Sequence, residues 1–292
     1  MNPFRGMWTA IVTPFRGGQL DRPALEQHVE RQIAAGVDGL VPCGTTGESP
    51  TLSVEEHVEV VATTVRVARQ RVPVCAGAGT NCTAKTVELS RRCADAGADG
   101  LLLVAPYYNR PSQVGLFQHF AAVARAVRLP IMLYNIPGRC GVEIAIDTIA
   151  RLHREFPSIT AVKHATGSVS GAADLADVSD IAILSGDDPI TLPLMSQGAV
   201  GVVSVMSNLI PKTVKRLTQA ALESRWIDAQ LAHREAYGFS KRLLGLDINP
   251  IPIKSAAAIK GWCAEEFRLP MCPLAPEARA KLVALLEERD LG

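Results

Sequence analysis

No uninterrupted apolar stretch in this chain approaches the roughly 18 to 20 residues of a membrane-spanning helix. The opening residues, MNPFRGMWTAIVTPF, lack the charged start, long apolar run and small-residue cleavage site of a secretory signal. Net charge is nearly absent as well. A formal +1 over 292 residues leaves no electrostatic footprint for nucleic acid or a membrane surface. The seven cysteines (Cys43, Cys75, Cys82, Cys93, Cys140, Cys263 and Cys272) are odd in number and none are spaced C-x-x-C. They are expected to be mostly buried thiols acting as small hydrophobes in a reducing cytosol. The six histidines form no H-E-x-x-H or related ligand pattern, so no metal is expected. Two adjacent aspartates, Asp187 and Asp188 in LSGDDP, read as a helix cap, with sugar-phosphate or cation binding as the alternative.

Apolar residues are plentiful at 48%, ample for a sizeable core, and they are arranged in a rhythm. Short β-branched runs occupy 8–15, 39–44, 72–79, 100–106, 129–137, 159–165, 181–186 and 201–205. Helix-like stretches lie between them, at 22–35, 53–70, 83–96, 112–127, 145–155, 169–178, 188–197 and 208–224. Strands this apolar, each followed by a helix, imply a parallel sheet covered by helices. About eight such units in roughly 225 residues match a (β/α)8 TIM barrel. A weak repeat supports it: AAGVDGLVPCG (34–44) and DAGADGLLLVAP (95–106) place a glycine at a helix end and an Asp-Gly before a strand. SQGAVGVVSV (196–205) is a looser copy, and Gly36, Gly97 and Gly198 suit the position that stops a helix. Residues 226–292 lose the strand rhythm and read as a C-terminal helical extension packed on a barrel of residues 1–225.

Active groups of such a barrel come from the C-terminal ends of its strands and the loops that follow. GTTGES (44–49), PYYNRPS (106–112), YNIPGRCG (134–141) and Lys163 in ITAVKHATGS (159–168) all fall there. Aromatic residues are only 5% of the chain, yet three of its four tyrosines (Tyr107, Tyr108 and Tyr134) sit in these pieces. GTTGES lacks the spacing and the lysine of a phosphate loop, but its hydroxyls and free backbone N–H groups suit a small carboxylate. GAGTN (77–81) is only a fragment of a dinucleotide fingerprint. A lysine inside an apolar strand must reach water or have a task. An ordinary lysine amine is neutral in only about one part in 2,500 at pH 7, and apolar burial disfavours its charged form. A neutral amine condenses with a ketone to a Schiff base, which then acidifies the neighbouring C–H. Tyr134 on the adjacent strand is the natural proton shuttle, linked through Thr45 to a second tyrosine.

GTTGES, PYYNRPSQ, YNIPGRCG, VKHATG, SGDD and NPIPIK occur in this order, and with them the whole chain resembles the dihydrodipicolinate synthase family. That family belongs to the pyruvate-dependent class I aldolases and lyases. The resemblance implies condensation of pyruvate with L-aspartate 4-semialdehyde to give 4-hydroxy-tetrahydrodipicolinate, a step of lysine and diaminopimelate biosynthesis. By motif, Lys163 is the Schiff-base lysine and Tyr134 the proton-transferring tyrosine. Thr45 and Tyr108 complete the relay, with Thr45 and Thr46 on the pyruvate carboxylate. Arg139 receives the semialdehyde carboxylate, and Gly186 and Val203 line the pocket through their backbone. No cofactor or metal is implied, and no nucleic-acid or membrane partner. The implied assembly is a homodimer at minimum, because Tyr108 reaches a neighbouring subunit's site, and usually a homotetramer in the cytoplasm.

Two departures accompany the resemblance. His164 stands where the family usually has glutamate, and by strand alternation it faces away from Lys163. Family members inhibited by L-lysine hold its ammonium with a glutamate, where this chain has Lys85, and Val54 replaces one histidine, while His57, Asn81 and Tyr107 remain. Repulsion replaces attraction there, which implies insensitivity to lysine. Two other readings compete: a sister aldolase acting on 2-keto-3-deoxy sugar acids, and a non-catalytic metabolite sensor on the same barrel. Arg139, suited to a second carboxylate, discriminates against the first, and covalent trapping against the second.

Overall fold

The computed structural model describes residues 4–289 and 291. Its strands are β1 Gly6–Ala10, β2 Phe15–Arg16, β3 Gln19–Leu20, β4 Gly39–Val41 and β5 Cys75–Gly77, followed by β6 Gly100–Val104, β7 Ile131–Asn135, β8 Ile159–His164, β9 Ala182–Ser185 and β10 Gly201–Ser204. β2 and β3 form a small antiparallel hairpin. The other eight run parallel in the order β4-β1-β10-β9-β8-β7-β6-β5. The edges of this sheet meet at a Leu40–Val74 bridge. Leu40 N–H donates to Pro73 O at 3.0 Å and Gly77 N–H to Pro42 O at 2.9 Å, which joins β4 to β5. The fold is a (β/α)8 barrel.

Helices α1 Arg22–Ala34, α2 Val54–Ala68, α3 Thr83–Asp95 and α4 Gln113–Ala126 follow the first strands. A short turn, α5 Pro137–Cys140, precedes α6 Ile146–Glu155, α7 Val169–Val178, α8 Thr191–Ser196 and α9 Pro211–Leu222. Beyond the barrel come α10 Trp226–Leu244, α11 Ile251–Ile259 and α12 Pro276–Glu287. The expected elements correspond closely, with local differences that have physical causes. The first strand stops at Ala10 instead of running to residue 15, because the Asn208 side-chain amide donates to Ala10 O and accepts from Val12 N–H in place of a strand neighbour, and Phe15 enters the hairpin. The helix expected over 188–197 is split into a 3-10 turn, Asp188–Ile190, and α8. Asp187 makes no capping bond. The Asp188 carboxylate instead accepts from Ser204 Oγ, Val205 N and Met206 N, tying together the ends of two neighbouring strands.

The repeat has a structural reason. Gly36, Gly97 and Gly198 adopt φ of +83°, +90° and +99° just after their helices, the left-handed stop that a side chain disfavours. Asp38 and Asp99 each accept the backbone N–H of an adjacent strand's residue, Met7 at 2.7 Å and Val74 at 2.9 Å. The glycines that follow make room for an aromatic plug. A Cβ on Gly39 would lie 2.3 Å from the Trp8 ring, and one on Gly100 would lie 2.9 Å from Phe4. Phe4 and Trp8 pack with centroids 5.3 Å apart, filling the barrel interior together with Leu102, Met132, Leu184 and Val203. A second, larger apolar layer lies between the strands and the surrounding helices. The eight barrel strands are therefore buried on both faces, which explains the continuous apolar runs.

Candidate active site

Alternation along β7 and β8 decides which side chains enter the barrel. Tyr134 pairs with Lys163 in the parallel register, and Asn135 with His164. Tyr134 lies in the interior cluster with Ala165 and Val203. Lys163 Nζ lies 4.2 Å from the Tyr134 ring centroid. His164 faces the helices, where its Nε2 lies 2.8 Å from both Ser168 O and Thr166 Oγ1. Asn135, also outward, exchanges two hydrogen bonds with the Ile144 backbone, at 2.9 and 3.0 Å. That exchange closes the loop carrying Arg139.

Gly186 follows β9 beside the lysine. A Cβ at this position would stand 3.1 Å from Lys163 Cε and 2.6 Å from Ala165 Cβ. The glycine is needed for space, since its φ is not in the left-handed region. Charge near the lysine is acidic. Burial pushes the Asp187 carboxyl above its ordinary value, and the positive fields of Lys163 and His164 oppose that shift. Burial likewise raises Asp188, against its three hydrogen bonds.

The turn after β4 is held by backbone bonds from Gly47 N–H to Gly44 O and from Glu48 N–H to Thr45 O, both 3.1 Å. Thr13 Oγ1 donates to Gly47 O at 2.7 Å. Thr46 is buried and accepts from Asn249 Nδ2 at 3.1 Å. Arg139 Nη2 donates to Asn249 O at 2.9 Å. A cavity of about 490 Å³ is lined by Thr45, Tyr134 and Arg139, and also by Val54, Lys85 and Tyr107.

A barrel whose lysine and tyrosine share one register step, the tyrosine sharing a cavity with a hydroxyl-bearing turn and an arginine, has the groups for imine chemistry on a keto acid. The family model described as "Dihydrodipicolinate synthetase family" matches residues 3–289. This chain belongs to that family. It is 47% identical over 290 residues to a 4-hydroxy-tetrahydrodipicolinate synthase of Pelobacter propionicus, covering 99% of each chain. Among solved structures, the 4-hydroxy-tetrahydrodipicolinate synthase of Methylacidiphilum fumariolicum SolV superposes with a TM-score of 0.96 at 47% identity, covering 98% of this chain and 96% of that one. A chloride-inhibited dihydrodipicolinate synthase of Acinetobacter baumannii, solved in complex with pyruvate, is 40% identical with a TM-score of 0.96, covering 99% of each.

Within this family member, the sequence-derived residues separate into groups. Lys163, Tyr134, Gly186 and Val203 meet in the barrel, and Thr45 and Arg139 join Tyr134 around the cavity. Thr46 is adjacent through Asn249. Tyr108 stands apart, 89% exposed and with φ +74°, a conformation uncommon for a non-glycine residue. Asn249 was missed as a site residue. Its only signal in the sequence is the Asn-Pro turn, which says nothing of a bridge to Thr46 and Arg139. Asp188 was misread as a cap for the same reason, since its partners lie 16 to 18 residues on. Among the described residues no cluster of three or more His, Cys, Asp or Glu could hold a metal ion, and no helix is long and apolar enough to cross a membrane.

Proposed function

We propose that this chain condenses pyruvate with L-aspartate 4-semialdehyde to 4-hydroxy-tetrahydrodipicolinate through an imine on Lys163. The observation that carries this reading is the Lys163–Tyr134 pair, with Nζ 4.2 Å from the ring centroid, together with the cavity that Tyr134 lines beside Thr45 and Arg139. The neutral amine attacks the ketone carbon of pyruvate, and loss of water leaves the imine. Removal of a methyl proton gives the enamine, whose carbon attacks the aldehyde of the second substrate. Tyr134 transfers protons at these steps, relayed by Thr45 and the Tyr108 of a neighbouring subunit. The amine of the semialdehyde portion then displaces Lys163 from the imine carbon, closing the ring and freeing the lysine. The net reaction joins the two substrates with loss of one water.

Thr45 and Thr46 receive the pyruvate carboxylate, Arg139 the carboxylate of the semialdehyde, and Gly186 and Val203 shape the pocket. The exposure of Tyr108 supports a partner outside its own chain and thus a homodimer as the functional unit, while the homotetramer rests on the family resemblance. Seven unpaired thiols favour a cytoplasmic setting. No cofactor or metal enters the cycle. Relatives named 4-hydroxy-tetrahydrodipicolinate synthase at 47% identity favour this substrate pair over a sugar-acid aldolase. Borohydride with pyruvate should add one pyruvate-derived group per chain at Lys163, and Lys163→Ala should abolish it. Labelling at Lys254 or Lys260 would overturn the mechanism. A coupled assay with the semialdehyde, run beside a retro-aldol assay on sugar acids, tests the second substrate.

A further inference from the structure

Glu48 ends the turn that carries Thr45 and Thr46, and its backbone is left-handed at φ +52°. A non-glycine residue holds that conformation only when its surroundings fix it. Its side chain and that of Lys254 are buried to 1% and 0% exposure, 206 residues apart in the chain. Lys254 Nζ donates to Glu48 Oε1 at 2.5 Å, and Arg268 N–H donates to Oε2 at 3.2 Å. Phe15 and Phe267 flank the ammonium, with centroids 4.2 and 5.1 Å away. Full burial lowers the Lys254 pKa, and the Glu48 carboxylate opposes that shift.

Desolvation offsets most of the attraction in such a pair, so net stability is a poor reason for it. Geometry is a better one. The segment that supplies Lys254 begins with Asn249 and Pro250, and Lys254 N–H closes its first helical turn on Pro250 O at 3.0 Å. Asn249 grips Thr46 while Lys254 grips Glu48, two residues further along the same turn. Asn249 O also accepts from Arg139. One C-terminal segment therefore touches both the turn that carries Thr45 and Thr46 and the arginine of the loop after β7.

We propose that Glu48 and Lys254 are positioning residues for pyruvate capture: their buried pair sets the height of the Thr45–Thr46 turn over Lys163. The inference rests on the reading of Thr46 as a carboxylate-binding residue. Misplacing a bound reactant by about 1 Å can cost on the order of a hundredfold in rate, so a small shift of the turn is measurable.

The test uses the full chain with Glu48→Asp, which keeps the charge and withdraws the carboxylate by one methylene, and the double variant Glu48→Gln/Lys254→Met, which removes both charges. Thr46→Val is the control. Thermal stability and the pyruvate dependence of borohydride trapping are read together. Glu48→Asp should raise the pyruvate concentration for half-maximal trapping by about tenfold. The double variant, with no unpaired buried charge, should keep stability near that of the parent and show the same raised requirement. Lys254→Arg, which keeps the charge, should shift the pyruvate requirement less than the double variant does. Should the neutral variants fail to fold, Glu48→Asp and Lys254→Arg decide the matter. A pyruvate requirement within about twofold of the parent in Glu48→Asp, with Thr46→Val shifted, overturns the positioning role alone. An unshifted Thr46→Val overturns the carboxylate reading, and the positioning role falls with it.

Discussion

Replacing Gly186 by alanine adds one methyl group between β8 and β9. That methyl would stand 2.6 Å from Ala165 Cβ, 3.1 Å from Lys163 Cε and 3.2 Å from His164 O. Carbon atoms pack at about 3.5 to 4.0 Å, so the first contact is short by roughly an ångström. The Ala165 methyl cannot swing aside, and Gly186 N–H is bonded to His164 O at 2.8 Å. Strain must therefore appear in the strands or in the lysine. Overpacking of this kind costs about 1–3 kcal/mol, seen as a fall in Tm of about 1–2 °C per kcal/mol in a chain of this length. Displacing the amine should also slow imine formation by about tenfold to a hundredfold. Differential scanning and the rate of pyruvate-dependent borohydride trapping measure the two effects. Combining Gly186→Ala with Ala165→Gly removes the 2.6 Å contact and leaves the milder ones on Lys163 Cε and His164 O. Stability should recover in that variant while trapping stays slow. Parental trapping in Gly186→Ala would refute the idea that this glycine makes room for the nucleophile.

Tyr134→Phe should preserve the fold and pyruvate trapping while turnover falls by about a hundredfold, and full activity would remove Tyr134 from the mechanism. Arg139→Ala should raise the semialdehyde KM far more than the pyruvate KM; equal rises would leave Arg139 only its bond to Asn249 O. L-lysine at about 1 mM should not inhibit, because Lys85 lines the cavity and a like charge about 4 Å away costs on the order of 4 kcal/mol before screening. Glu48 cannot substitute for the missing glutamate, being bound to Lys254, and half-maximal inhibition below about 1 mM would refute this. Paired with Arg268, Glu56 is held down to about 2 from 4.5, so its stabilising effect is complete above pH 4.5 and lost as pH falls toward 2. The Tm difference between the parent and Glu56→Gln should shrink across that window, and a constant difference would show that the ion pair is not its source.

The eight strand–helix units were readable because burial on both faces makes each strand a continuous apolar run, while helices keep one polar side. Gly36, Gly97 and Gly198 were readable for a different reason, since a left-handed stop needs glycine whatever surrounds it. Lys163 and Tyr134 stood out because polar groups are out of place in such strands. Asn249, Glu48 and Lys254 lack that advantage. Each sits in a segment where its residue type is ordinary, and Glu48 and Lys254 differ from surface charges only in their burial. Folding brings the two together across 206 residues and spends the charge of each on the other. Spacing rules act over a few turns of helix or a few strand steps. A contact between the second βα turn and the C-terminal extension is set by how the whole barrel closes, and the residue types at its two ends carry no trace of it.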